Sequence, residues 1–116
     1  MSNALKEKDT LLVGITVDGK LHQDFIVRPR LVSDSVKVME DEKAQNSETY
    51  RGVALYACQL EKLGELTPEQ ITTELLLTMF DADLAVIIKA CTRLEVRLTK
   101  FREPAEKPTK VTSGAS

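Results

Sequence analysis

Tryptophan is absent from the 116 residues, and only two Tyr and three Phe make up the aromatic content. A chain this poor in aromatics lacks the stacking platform on which single-stranded nucleic acids are held. An excess of basic charge is missing too. Lys plus Arg number 16 against 18 Asp plus Glu, for a formal charge of -2, so no general attraction to a phosphate backbone exists and nucleic acid is not an expected partner. The one histidine, His22, has no cysteine or second histidine at ligand spacing and reads as a solvated strand residue. Cys58 and Cys91 lie in separate helix-like segments. They read as small half-buried thiols rather than as a metal pair or a disulfide. No cofactor is expected.

Long apolar runs are also missing. The stretch from Leu84 to Ile88 is far below the roughly 18 to 20 residues that span a bilayer. Met1 to Thr10 mixes Lys6, Glu7, Lys8 and Asp9 without the apolar centre of a secretory signal. The expectation is a soluble cytoplasmic protein that touches no membrane. Ser2, Asn3 and Ala4 read as a cloning scar.

Catalytic constellations are wanting as well. Ser33, Ser35 and Ser47 have no base at a motif-defined spacing, and neither common Gly-rich phosphate loop occurs. Paired carboxylates occur at Asp81 and Asp83 and in Glu40-Asp41-Glu42, and such pairs run acid–base chemistry only when buried. Helix capping accounts for the first pair and a solvated helix end for the second run. The chain is not expected to be an enzyme.

What is present is a clear order of elements. Leu11, Val13, Ile15 and Val17 alternate along one strand, and Leu21, Phe25 and Val27 along a second that ends at Arg28 before Pro29. A two-residue turn at Asp18-Gly19 would set Val13 opposite Asp24 if the register ran evenly, so a three-residue loop is expected. Val32, Val36 and Met39 then make the core-facing stripe of a short helix ending near Lys43. Ala44 to Glu48 reads as an irregular linker in which Asn46 or Ser47 caps the next helix, Glu48 to Leu63, with Gly64 as its stop. Its core face holds Tyr50, Val53, Ala54, Ala57 and Leu60.

A third helix starts at Thr67-Pro68-Glu69-Gln70, where Thr67 caps and Pro68 takes the first helical position. It carries Ile71, Leu75 and Met79, and the run Leu75-Leu76-Leu77 leaves apolar side chains on a second side. A fourth helix from Asp81 has the stripe Leu84, Ile87, Ile88, Cys91, Leu94, Leu98 and Phe101 and ends at Glu103-Pro104. The fold class is thus α+β, an N-terminal β-hairpin followed by about four α-helices, mostly helical. The expected domain is 11–102, between a disordered N-terminus at 1–10 and a disordered tail at 103–116.

One pattern points beyond folding. Lys89, Arg93, Arg97 and Lys100 recur at helical spacing opposite the apolar stripe of the last helix, a strip able to steer an acidic helix into place. With Leu76 and Leu77 as surplus apolar surface, these six residues form the expected partner-binding set. A lone hairpin is marginal, so self-association through it is a further expectation.

The hairpin closing on Phe25-Ile26-Val27-Arg28-Pro29, the helix through Val36, and Leu66-Thr67-Pro68-Glu69 leading to Phe80-Asp81-Ala82-Asp83-Leu84 together resemble the tail assembly chaperones of contractile-tailed phages of the Mu and P2 type. The resemblance covers roughly Leu11 to Phe101. It implies a non-catalytic phage or prophage protein that binds the tape-measure protein, keeps it soluble until the tail tube polymerises around it, and works in the bacterial cytoplasm. The tail-tube protein is a second implied partner, and a longer form made by ribosomal frameshifting is common in such families. The alternatives are a small nucleic-acid-binding regulator reading DNA with the Lys89 to Lys100 helix, or a structural tail component.

Overall fold

The structure, a computed structural model, describes residues 5–106, with side chains for 5–100. The α+β order holds: β1 (Glu7–Val17), β2 (Lys20–Val27), α1 (Val32–Val38), α2 (Glu42–Asn46), α3 (Glu48–Gln59), β3 (Leu60–Leu63), a 3-10 turn (Pro68–Gln70), α4 (Thr73–Leu76) and α5 (Asp81–Glu106). The sheet is antiparallel in the order β1-β2-β3. α5 packs along it, and Phe25, Val27, Leu63, Ile87 and Leu94 meet in the main core.

The hairpin corrects the expected loop. Val17 pairs with Lys20 across a two-residue turn, and Asp18 and Gly19 both have positive φ, 52° and 79°, as a type I′ turn demands. The even register that argued against this turn does not persist. Between the pairs Ile15–His22 and Thr10–Asp24, residues 11–14 of β1 face the single residue Gln23 of β2. This wide bulge moves Asp24 off Val13 and onto Thr10, where the two side chains share a 3.0 Å hydrogen bond. Gly14, at φ 97°, makes it possible: a Cβ there would lie 2.9 Å from the His22 carbonyl oxygen.

Other boundaries move too. β1 begins at Glu7, so residues 7–10 belong to the sheet rather than to a loose N-terminus. The helix expected through Leu63 stops at Gln59, and Leu60 to Leu63 add a third strand whose Leu63 pairs with Phe25. The expected linker holds α2, which buries Ala44 and is capped by Asp41. Ser47 does cap α3, accepting from Tyr50 N at 3.1 Å. α5 carries on past Pro104 to Glu106. Helix thus covers 103–106 of the tail expected at 103–116, and residues 107–116 and the side chain of Phe101 lie outside the described residues.

Candidate functional site

The proposed binding set divides once the helix that should carry Leu76 and Leu77 is seen to be broken. Thr67 receives the expected return bond, its N–H donating to Gln70 Oε1 at 2.9 Å, but the turn is 3-10 and ends at once. Thr72 then starts α4 afresh, its hydroxyl accepting from Leu75 N at 3.2 Å. The new phase drives Leu76 into the main core at 2% exposure and leaves Leu77 outside at 52%. Leu76 is therefore a core residue, and only Leu77 remains for a partner.

The basic strip divides likewise. Arg93 donates from Nε to Glu7 Oε2 at 2.6 Å and from Nη2 to Asp9 Oδ2 at 2.9 Å. Arg97 donates to Glu7 Oε1 at 2.8 Å and to the Lys6 carbonyl at 2.6 Å. The strip's centre thus clamps α5 onto β1. Asp9 is held below the usual carboxylate range, chiefly by the Thr10 N–H and next by Arg93, while Arg93 is raised by Glu7 and then Asp9. Lys89 and Lys100 are exposed and make no ion pair among the described residues.

The same clamp bears on self-association, since side chains already bond backbone groups along β1. Lys6 O is taken by Arg97, Thr10 N by its neighbour Asp9 at 2.8 Å, and Val13 N and Gly14 N by the two oxygens of Asp83, each at 2.9 Å. A strand so occupied offers fewer groups for another chain to pair with.

Two residues change character here. Asp83, expected only as an unburied carboxylate in the first turn of a capped helix, is fully buried, and its carboxylate ties the bulge to the first turn of α5. A charge-assisted pair of backbone bonds is what makes its burial tolerable. His22 is not solvated either. Only 5% exposed, it accepts from Glu65 N through Nδ1 at 3.1 Å. Gly64, at φ 57°, lies so close that a Cβ would stand 2.3 Å from that nitrogen.

The largest departure is α1. Val32, Val36 and Met39, expected on the core side, point outward with Leu31, and Val32 is 84% exposed. What α1 buries is Asp34 and Val38. Arg28 holds the Asp34 carboxylate with both Nη atoms at 2.9 Å, and Leu31 N donates to the same carboxylate at 2.8 Å. This polar clasp, formed where β2 leaves the sheet, turns the helix so that its apolar stripe faces water. Leu12, Val13 and Leu21 around the bulge and Phe80 before α5 are exposed as well.

No helix among the described residues is long and apolar enough to cross a membrane. No family model, curated protein or solved structure matches the chain.

Proposed function

We propose that this protein is a non-catalytic tail assembly chaperone of a contractile-tailed phage or prophage, acting in the host cytoplasm to keep the tape-measure protein soluble. One observation carries the reading: α1 turns its whole apolar stripe, Leu31, Val32, Val36 and Met39, away from the core. Exposed contiguous apolar patches on a folded domain mark interaction sites. The spacing i, i+4, i+7 suits a long helix with an apolar stripe of its own, the chemistry of an unassembled tape-measure chain. Leu77, exposed just after α4, offers a separate apolar contact, and Lys89 and Lys100 steer acidic segments. The DNA-reading alternative loses support, because Arg93 and Arg97 are engaged by Glu7 and Asp9.

The test is co-expression with the tape-measure protein of the same genome. Its soluble yield should rise with this chain and fall back when Val32 and Val36 are both changed to Asp, a pair of exposed substitutions that leaves the fold intact. An unchanged yield with the unaltered protein would end the chaperone reading.

A further inference from the structure

The sheet has two edges, and they are finished differently. Side chains of α5 occupy backbone groups along β1, whereas β3 packs on β2 and on the end of α3 that leads into it, and no helix among the described residues runs along its outer side. Gly64 N donates inward to the Asp24 carbonyl at 2.7 Å, so by the alternation of a strand the N–H of Leu63 points to that outer side. β3 ends the sheet without a cover.

What stands on this edge has an order of its own. β3 reads Leu60, Glu61, Lys62, Leu63, and its register shifts so that Leu60 pairs with Val27 and Leu63 with Phe25, both leucines buried and both charged residues exposed. Leucines three apart share the core face because of that irregularity. Laid antiparallel against a copy of itself, about a twofold axis between Glu61 and Lys62, the strand sets each Glu61 opposite the partner's Lys62 and each Leu60 opposite the partner's Leu63. Every position finds a match. Lys62 makes no ion pair among the described residues, and Glu61, which meets Lys6 at 2.8 Å, keeps its side chain 35% exposed.

We propose that β3 joins two copies of this chain, its edge pairing antiparallel with the same edge of the partner so that two three-stranded sheets become one of six strands. Short edge strands that carry Lys are poor templates for strands at large, since the charge then faces an apolar or like-charged residue. The same lysine favours this one partner. The opposite-charge pairs lie on the solvent face, the leucines stay on the core side, and one patch meets itself, as closed twofold association requires. A joint four residues long belongs to the weak, transient end of specific interfaces, with a Kd on the order of 0.1–1 mM. The inference makes no use of the α1 stripe and stands apart from the tape-measure reading.

Sedimentation equilibrium of the full chain from about 10 µM to 1 mM should show monomer and dimer in exchange, and hydrogen exchange at the Leu63 amide should slow over the same range. Lys62→Glu brings four carboxylates together at the joint, and Glu61→Lys four ammonium groups. Each should weaken dimerisation at least about tenfold, because two attractive cross-strand pairs become repulsive. Mixed one to one, the two variants present opposite charges to each other, and the mixture should dimerise about as well as the unaltered protein. A different interface would show no such rescue. A chain that stays monomeric throughout, a loss in the variants that mixing does not restore, or a dimer indifferent to both substitutions would overturn the inference. So would association that slows exchange at Val32 and Val36 and leaves Leu63 unchanged.

Discussion

The sheet with α5 and the α1–α2 segment are held by different means. Among the described residues the first gathers thirteen buried side chains into one cluster, while the second has three, two of them alanine. Hydrogen bonds stand in for apolar burial in α1–α2. Arg28 clasps Asp34, Gln59 Nε2 donates to the Arg28 carbonyl at 2.8 Å, and Arg51 Nε donates to the Ala44 carbonyl at 3.0 Å. Regions with few buried apolar contacts open at lower free energy than the core around them. The contrast teaches what the exposed valines of α1 are free to do: a helix anchored by its polar side does not need its apolar side for folding.

The sharpest way to break the contrast is to damage each region and compare. Leu94, fully buried against the sheet, should not tolerate a carboxylate. Leu94→Asp is expected to cost more than about 4 kcal/mol and leave the chain unfolded. Val38→Ala removes two methyl groups from the small cluster and should cost about 1.5 kcal/mol. Urea denaturation reads both, and equal losses would show that the two clusters are one core.

Asp34 comes next. The Arg28 guanidinium, more than any other group, holds its carboxyl below the ordinary value of 3.8, against the opposing effect of burial. A carboxyl whose folded pKa is depressed contributes stability that is complete above its unfolded value, and loses it as pH falls through the folded one. The α1 clasp should therefore hold at neutral pH and weaken progressively below about pH 4. Asp34→Asn should remove about 1.5–3 kcal/mol at pH 7, with the difference from the unaltered protein closing in acid. Amide exchange should quicken in α1 and stay slow around Leu94. Equal acceleration in both places would make them one cooperative unit.

A smaller effect is expected at the clamp between α5 and β1. Arg93 is about half exposed and pairs with Glu7 and Asp9, so Arg93→Ala should cost about 0.5–1 kcal/mol and less at high salt. Arg93→Glu should cost more, since it sets a third carboxylate against two. A melt unchanged by either substitution would mean the arginine is free to serve a partner after all.

Much of the sheet–α5 half was legible because its signals are local and periodic. Leu11 and Ile15 in the first strand, Phe25 and Val27 in the second and the Ile87–Cys91–Leu94 stripe needed only spacing to be recognised, whereas Val13 and Leu21 of the expected rows lie exposed. What escaped depends on residues far apart. The bulge that rescues the Asp18-Gly19 turn takes its bonds from Asp83, about seventy positions away, and Arg93 and Arg97 find carboxylates on β1. β3 reads Leu-Glu-Lys-Leu, whose apolar pair at i and i+3 fits a helix face and not the period of two of a strand. In α1 periodicity was clear and its direction was wrong, because Arg28 and Asp34 outweigh three valine- and methionine-sized contacts in orienting a seven-residue helix. Of the proposed binding residues, Leu77, Lys89 and Lys100 stay accessible, and Leu76 does not.

The smallest effect is expected where the argument about function depends on it most. Val32 and Val36 are 84% and 61% exposed, so they lose little of their water contact on folding, and replacing both by Ser removes little burial. Valine and serine also differ little in helix propensity. The double variant should keep its stability within about 0.5 kcal/mol, a change of roughly 2–4 °C in melting temperature for a domain of this size. Binding of a hydrophobic dye should fall, because the stripe is the source of apolar surface on α1. A loss as large as that of Val38→Ala would mean that this face is covered in solution. The contrast between a helix that folds by its polar side and a core that folds by burial would then no longer stand.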